Sequence, residues 1–332
     1  IAYSSNYTLY GDLSHRVMDT LSYFTPHIEV YSIDEAFLDF RGFERSDMSL
    51  GEYGRLIRST VKKWTGLPVS IGIGETKTIA KVAQRIAKKK PHGVLNLAGS
   101  PYLDDALART AIEDVWGIGR SHSKFLQGHG IMNALQFKEA EVGWIRKHMG
   151  VVGVRMVLEL RGTSCLELEM VRPAKKCITV SRSFGKLITT FDGMCEVVSH
   201  YASRAGEKLR RGRLAAGAVM IFVMTNRFRD EPQYSNAVTI ELPVPTNSTD
   251  ELIKYSLCCL RSLYRKGFRY YKTGIILSDL APANQIQSDL FDTKDRAKSK
   301  RLMQALDEVN ERFGSGTLAF AAAGIKRPWK TK

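Results

Sequence analysis

The sequence predicts an α+β protein of several domains, because three regions show different residue patterns. Residues 1–100 alternate one-faced helical stripes with short apolar β-like runs, which predicts an α/β unit. Residues 101–162 show short helical stretches broken by glycines, which predicts a small all-helical domain. Residues 176–280 follow the order strand, helix, strand, strand, helix, strand, which is typical of ferredoxin-like units. A length of 332 residues agrees, because one hydrophobic core rarely serves so long a chain.

Apolar periodicity predicts the elements of the α/β region. A stripe that includes Leu9 and Leu21 predicts a helix over 6–24. Ser49 and Glu52 have the spacing of a capping box, which begins a helix that runs to about residue 64. The other predicted elements are strands at 28–33, 36–40, 68–73 and 93–97 and a helix at 76–89.

The ferredoxin-like region is predicted in the same way. Its expected elements are strands at 177–184, 215–225, 235–241 and 270–278 and helices at 192–211 and 248–266. Ser248 and Glu251 predict another capping box. Residues 163–175 are interpreted as a linker, and residues 281–332 as a polar C-terminal tail with a helix near 300–312.

The charge of the chain favours a polyanionic partner. The formal net charge is +15, and residues 171–280 hold 18 Lys and Arg against 9 Asp and Glu. A protein this basic usually binds nucleic acid. Positive charge that serves solubility alone is the alternative interpretation.

Cysteine usage and hydropathy bear on the compartment. The five cysteines include no CxxC pair and have no histidine at zinc spacing. Reduced thiols packed as small apolar side chains are expected, which indicates a cytoplasmic protein. No apolar run reaches about 18 residues, so no membrane span is predicted.

Asp34 and Glu35 lie side by side where two predicted strands meet. Mg²⁺ takes oxygen ligands, and paired carboxylates at such a point fit a site for two Mg²⁺ ions that act in phosphoryl transfer. A plain hairpin turn is the alternative, since Asp favours turns.

Two further groups of residues are candidates for DNA contacts. Gly117, Gly119 and Arg120 begin a stretch that resembles a helix-hairpin-helix element, whose backbone amides can hold a phosphate. An ordinary tight turn is the alternative there. The ferredoxin-like region offers the second group, cations suited to sequence-neutral phosphate contacts with a duplex: Arg182, Lys186, Arg204, Lys208 and Arg227.

Four cations at helical spacing, Lys77, Lys81, Arg85 and Lys88, share one face of the helix predicted at 76–89. They fit either a phosphate contact or a solvated helix face. In the tail, residues 287–291 place Leu290 and Phe291 behind Gln287, which predicts a peptide that docks in another protein's groove. A local apolar contact is the alternative for this segment.

Taken together, these stretches resemble the Y-family DNA polymerases. Residues 31–37 (YSIDEAF) look like the second palm motif of that family. Residues 4–7, 115–120, 181–185 and 316–320 are similar to its UmuC branch. The resemblance runs from residue 1 to about residue 329.

The resemblance implies a partial palm at 1–100, a thumb at 101–162, a DNA-binding little finger at 176–280 and a tail at 281–332. It implies error-prone translesion synthesis in the SOS response, by two-metal nucleotidyl transfer with Mg²⁺. The implied substrates are dNTPs and primed, damaged DNA. The implied protein partners are a sliding clamp, a UmuD-type subunit and a RecA filament.

The resemblance also implies roles for single residues. Asp34 and Glu35 become the catalytic, metal-binding carboxylates. Lys90 of a Lys-Pro-x-Gly pattern becomes a triphosphate contact, with Lys88 and Lys89 as alternatives. Gln287, Leu290 and Phe291 become the clamp-binding residues.

One feature of the family has no counterpart in this sequence. The first palm strand, with its own catalytic Asp and a ribose-discriminating aromatic residue, and the fingers are expected before Ile1. The chain as given is therefore expected to be inactive alone. A non-catalytic DNA- and clamp-binding module is the alternative interpretation.

Overall fold

The computed structural model describes residues 5–42, 48–171, 173–287, 289, 291–325 and 329. They form two compact units: Ile1–Arg172 is called unit 1, and Pro173–Lys332 is called unit 2. Of the helices that the described residues form, none combines the length and hydropathy that a membrane crossing requires.

The first part of unit 1 is mixed helix and strand. Its elements are α1 (Tyr7–Ser22), β1 (Ile28–Val30), β2 (Ala36–Leu38), α2 (Leu50–Thr65), β3 (Ile71–Ile73), α3 (Lys77–Ala87) and β4 (Val94–Asn96). β1 and β2 pair as an antiparallel hairpin, whereas β3 and β4 are parallel. A small core that contains Met18, Tyr53 and Val61 lies under the hairpin.

The second part of unit 1 is helical, as predicted. Its elements are α4 (Leu103–Ala108), a 3₁₀ turn (Ile112–Asp114), α5 (Arg120–Gly128), α6 (Ala134–Glu139) and α7 (Val142–Leu160). Its core includes Phe137 and Leu160, and it also includes Ile79 and Val82 of α3. Helix α3 therefore contributes its apolar face to the helical part of the unit.

Unit 2 contains the ferredoxin-like order that the sequence predicts. Its elements are β5 (Ile178–Ile188), α8 (Phe191–Arg211), β6 (Leu214–Thr225), β7 (Ser235–Thr246), α9 (Thr249–Leu263), β8 (Tyr270–Pro282) and α10 (Arg296–Phe313). The antiparallel sheet has the order β5-β8-β6-β7. Each crossover helix therefore joins two strands that enclose a third one, which is the split βαβ arrangement.

The sheet of unit 2 has two different faces. Residues such as Ile221, Val223 and Ile275 alternate onto the face that α8 and α9 cover. The neighbouring positions Phe222 and Gly274 lie on the opposite face. A Cβ atom at Gly274 would lie 2.5 Å from the Phe222 ring, so glycine is required for this close packing.

The helix caps test two predictions. The capping box at Ser49 and Glu52 is confirmed, because each side chain accepts from the backbone amide of the other. The capping box at Ser248 and Glu251 is wrong, because the Ser248 side chain does not cap α9. The hydroxyl of Ser248 instead donates to Asp250, and Glu251 is held by Arg296 and other groups from outside the helix.

The apolar stripe of α1 is only partly buried. Leu21 is buried, but Leu9 is 48% exposed, because the core under the hairpin reaches only the second half of the helix. The stripe of α3 is buried as expected, since Ile79, Val82 and Ala83 are at most 1% exposed.

The Gly72→Ala variant tests the close packing of β3 on α3. A Cβ atom at Gly72 would lie 2.0 Å from the Gln84 nitrogen and 2.1 Å from the Ala80 oxygen, both of which belong to the backbone. We expect a loss of about 3 kcal/mol of stability, seen as a lower urea midpoint. The matched Gly11→Ala change in α1 meets nothing within 4 Å and should stabilise by about 0.5–1 kcal/mol. Equal midpoints for the two variants would contradict this packing argument.

Candidate active site and nucleic-acid interface

Asp34 and Glu35 occupy the turn that joins β1 to β2. The amides of Tyr31 and Ser32 donate to the Glu35 carbonyl at 3.1 and 3.0 Å, which closes the turn. The Ser32 hydroxyl donates to Asp34 Oδ1 at 2.6 Å and orients that carboxylate. Asp34 is exposed and Glu35 is half-buried. The hairpin therefore presents two adjacent carboxylates to solvent.

Three cations on successive turns of α3 bind carboxylates of neighbouring elements. Lys77 pairs with Glu29 of β1, Lys81 with Glu35, and Arg85 with Asp114 of the 3₁₀ turn. The predicted cationic face is therefore occupied by ion pairs at these positions, with Lys77 and Lys81 largely buried and Arg85 still exposed. It fixes the hairpin to α3 and balances the charge of Glu35.

Residues 164–169, which follow α7, also hold the hairpin in place. The buried Glu29 carboxylate accepts from the Glu169 amide at 3.0 Å, and Lys77 donates to the Glu167 carbonyl at 2.7 Å. The fully buried Glu159 accepts from the Thr78 amide at the start of α3, where a negative charge is favourable. The first half of the predicted linker is thus part of the packing of unit 1.

A groove of about 470 Å³ separates β2 from β3. Its walls carry Phe37 and Leu38 from β2, Ile71 and Ile73 from β3, and apolar side chains of α1 and α2. Among the described strands, β2 pairs only with β1 and β3 only with β4. The groove therefore lies between two unpaired strand edges, and Asp34, Glu35, Lys77 and Lys81 contribute to its lining.

An aromatic cluster connects the hairpin to the helical part of unit 1. Tyr31, Phe37 and Trp116 lie edge to face, with ring centroids 5.5 to 5.8 Å apart. Lys77 lies 5.1 Å from the centre of the Phe37 ring. The sequence analysis gave no role to Trp116. The feature that could have indicated one is its position directly before Gly117 of the glycine turn.

The first turn of α5 is the predicted phosphate-binding element. Gly117 has a φ of +92°, and a Cβ atom there would also meet the Met156 side chain at 3.0 Å, so glycine is required. Gly119 is the N-cap residue and offers no side chain, which leaves the first amides of α5 without a capping partner. Gly119 and Arg120 are exposed.

Helix α7 contains a second glycine turn, at one of the glycines that were predicted to break the helices of residues 101–162. Gly150 has a φ of +67° and interrupts the helix, so that a new helical segment begins after it. Val151 and Val152 at this start are 54% and 61% exposed. The signal was the sequence Gly-Val-Val-Gly, in which the first glycine permits the left-handed turn.

Lys90 lies at the far end of α3 from the carboxylates. It is exposed in the turn after the helix, where its amide donates to the Ala87 carbonyl. Nine residues separate it from Lys81, which corresponds to roughly 13 Å along a helix axis. The cations that the structure brings to the hairpin are therefore Lys77 and Lys81.

The predicted DNA-binding cations of unit 2 fall into two sets. Arg182 of β5 and Arg204 and Lys208 of α8 line one cavity. Lys186 is exposed further along β5, and Arg227 lies after β6, where its guanidinium covers the exposed Phe228 ring. The structure thus brings the first three together and leaves the other two apart from them.

The predicted clamp-binding residues lie between β8 and α10. Gln287 is exposed, and Phe291 is 88% exposed. Leu290 lies outside the described residues. The large exposed aromatic ring is consistent with a docking peptide and does not fit the alternative of a local apolar contact.

The donor set of the hairpin fits a hard cation. Carboxylate oxygens are the ligands that Mg²⁺ prefers, and both carboxylates are accessible. Over the part of the chain that the structure describes, no cluster of three or more His, Cys, Asp and Glu side chains is placed to hold a metal ion. Asp34 and Glu35 therefore supply only part of the oxygens that two ions need.

Solved structures show the class to which this fold belongs. A Y-family DNA polymerase chimera of Dbh and Dpo4 matches with a TM-score of 0.62 and 20% identity, over 82% of this chain and 77% of that chain. The fold is that of a Y-family DNA polymerase.

Relatives by sequence define the family more closely. UmuC of Salmonella typhimurium is 44% identical over 100% of this chain and 80% of its own length. SamB of Salmonella typhimurium is 41% identical over 100% and 79%. DNA polymerase IV of Brucella melitensis is 25% identical over 93% and 67%.

Family models agree with these relatives. The impB/mucB/samB family model matches residues 1–85, and the model of its C-terminal domain matches residues 175–290. Residues 300–332 match a domain of unknown function (DUF4113). The chain belongs to the impB/mucB/samB family, the UmuC branch of the Y-family polymerases, as its motifs predicted. It is accordingly a DNA-directed DNA polymerase of the translesion class.

The Trp116→Ala variant tests whether the aromatic cluster holds the hairpin. The change removes two edge-to-face contacts, which contribute about 0.5–1.5 kcal/mol each. We expect the amides of Tyr31 and Ser32 to exchange hydrogen about tenfold faster. Trp64→Ala is the control, because Trp64 is 56% exposed and its ring contact is with Tyr23. Unchanged exchange in Trp116→Ala would show that the hairpin does not depend on this cluster.

Proposed function

We propose that the hairpin of Asp34 and Glu35 is the site of template-directed nucleotidyl transfer by a two-metal mechanism. The observation that carries the proposal is the pair of accessible, adjacent carboxylates at the turn of a hairpin that two ion pairs fix to α3. Mg²⁺ bound there supplies Lewis-acid activation of a primer 3′ oxygen and neutralises charge on a triphosphate.

The residues of the chain position the carboxylates and the substrate. Ser32 orients Asp34, and Lys81 balances the charge of Glu35 in the absence of another cation. Lys90 is proposed as a triphosphate contact at the other end of α3, where its ammonium group is exposed. Such preorganised charges favour charge development at the transferred phosphoryl group.

Primed DNA is proposed to contact the glycine turns of the helical part of unit 1. The uncapped amides at Gly119 and Arg120 can hold a backbone phosphate without reading sequence. The helical segment that begins after Gly150 offers a second such start. The predicted assignment of residues 101–162 as a thumb and 176–280 as a DNA-binding little finger is part of this proposal.

The groove between β2 and β3 supports a further part of the site. Each Mg²⁺ ion takes six oxygens, so two ions need more than the carboxylates of Asp34 and Glu35. Unpaired strand edges accept an additional strand. We therefore propose that the groove receives an extended segment that carries a third carboxylate, as the family resemblance implies.

The cellular setting that we propose for the protein is that of the UmuC branch. It is the SOS DNA-damage response in the cytoplasm, with a UmuD-type subunit and a RecA filament as partners. A sliding clamp is proposed to bind residues 287–291 as an extended peptide, and the exposed Phe291 supports this.

Catalysis can be tested by primer extension with Mg²⁺. We expect the 332-residue chain to bind primed DNA and extend it at a rate near background, because the described residues place only the carboxylates of Asp34 and Glu35 at the turn. The chain extended by the family's first palm strand and fingers should polymerise. In that form Asp34→Asn and Glu35→Gln should each lower the rate about a thousandfold, a loss of about 4 kcal/mol, while DNA binding is retained.

Asp39→Asn in the extended chain is the matched control. Asp39 is bound by Arg41 at 2.9 Å, which holds the pKa of its carboxyl below its usual range, and near-normal synthesis is expected. Robust synthesis by the 332-residue chain would contradict the ligand count. An extended chain that binds DNA without synthesis would favour a non-catalytic DNA- and clamp-binding module.

The clamp contact can be tested with the Leu290→Ala/Phe291→Ala double variant. Burial of one large apolar side chain contributes about 1.5–3 kcal/mol. Loss of both should weaken clamp binding by at least about 3 kcal/mol, which is a hundredfold or more. Titration of the clamp measures this, with Leu302→Ala as a control on the 59% exposed residue of α10. Clamp affinity equal to that of the control would refute the assignment.

A further inference from the structure

A cavity of about 550 Å³ lies within unit 2, on the side of the sheet that the helices cover. Its walls come from β5, from α8 and from the segment that follows α10. Leu318, Phe320 and Trp329 line it from that segment. Residues 300–332 match a domain of unknown function, and described residues of this range therefore complete a cavity that the sheet and α8 begin.

Some charges on the cavity wall are already compensated. Arg210 forms a two-point ion pair with Asp307 of α10, at 2.6 and 2.8 Å. Arg204 pairs with Glu207 and also donates to the Ser315 hydroxyl at 2.9 Å. These contacts fix the C-terminal segment to α8.

The charges of Arg182 and Lys208 are not compensated in this way. Within the described ranges, neither takes part in an ion pair, although both line the cavity. The pKa of Lys208 is lowered, first by partial burial and then by the charges of Arg204, Lys175 and Arg182. Both residues are exposed, and the cavity wall therefore carries positive charge that no ion pair within the described ranges balances.

Two buried polar groups on the wall also lack a partner. Tyr201 is 2% exposed and Trp329 is 5% exposed, and among the described residues neither the Tyr201 hydroxyl nor the Trp329 indole N–H has a hydrogen-bond partner. Their rings lie 5.9 Å apart, edge to face. Buried donors of this kind are normally satisfied, and because both residues line the cavity, a bound group with acceptor atoms would satisfy them.

We propose that this cavity binds a phosphate group, with Arg182 and Lys208 as cationic contacts and the Tyr201 hydroxyl as a donor. A phosphate supplies the negative charge that the cavity lacks and several acceptor oxygens. The group belongs either to a DNA strand or to a free phosphate compound. The segment at 300–332 thereby has a function, because its Ser315 and Trp329 help to form the wall of the site.

The first experiment titrates the full 332-residue chain with inorganic phosphate by calorimetry, at an ionic strength held constant with chloride. The Arg182→Gln/Lys208→Gln variant should bind phosphate with an affinity lower by at least about tenfold. Lys254→Gln/Lys266→Gln is the control, because it removes the same charge at exposed positions outside the cavity. It should bind phosphate as the unaltered chain does.

The Tyr201→Phe variant tests the same site with a change that should leave the protein folded. It removes only a buried hydroxyl without a partner, so the fold should be retained, as a melting curve will show. We expect phosphate binding to fall about threefold to tenfold. Phosphate binding that is unchanged in folded Tyr201→Phe and in the double variant would overturn the proposal.

The second experiment identifies the source of the phosphate. DNA binding is measured against salt for the cavity variant and for its control. If the group belongs to a DNA strand, the slope of log K against log salt should be flatter by up to about two units in the cavity variant alone. If it belongs to a free compound, both variants should show equal slopes while only the cavity variant loses phosphate binding. The phosphate titration involves neither DNA nor synthesis, so its result does not depend on the proposed catalytic site.

Discussion

The arrangement of unit 1 depends on the ion pairs along one face of α3. Lys77, Lys81 and Arg85 are four residues apart, so they lie above one another on the helix. Their carboxylate partners come from β1, from the turn of the hairpin and from the 3₁₀ turn before α5. One helix therefore sets the positions of both the candidate catalytic turn and the candidate DNA-binding turn. The Lys77 and Glu29 pair is almost fully buried, and loss of one partner from such a pair costs about 3–5 kcal/mol.

This arrangement explains how a short hairpin can hold two exposed acids. Strands of three residues provide few hydrogen bonds, and isolated two-stranded hairpins are barely stable. The hairpin is held instead by Lys77 and Lys81 on one side and by Trp116 on another. Stability is thus supplied from outside the turn, by contacts that include the Lys81 and Glu35 pair, while the Asp34 carboxylate remains exposed.

Local signals predicted the elements well, whereas contacts between distant residues could not be predicted. The capping box at Ser49 needs only residues three apart and is confirmed. The similar pattern at Ser248 failed because Glu251 binds Arg296, 45 positions along the chain. The cationic face of α3 was evident from spacing, but its carboxylate partners were not, since Glu29 lies 48 positions before Lys77. A sequence pattern identifies the face of a helix or strand on which a residue lies. The fold determines which residues contact that face.

The positive charge of unit 2 shows the same principle. Composition alone placed an excess of cations in this region and implied one DNA-binding surface. The structure divides them, because alternation along β5 and the periodicity of α8 direct Arg182 and Lys208 into a cavity on the helix side. The open face of the sheet carries mainly uncharged residues, among them Met220, Phe222 and Gly274. Arg182 and Lys208 lie instead on the cavity wall on the helix side, so the cations of unit 2 do not form one continuous surface.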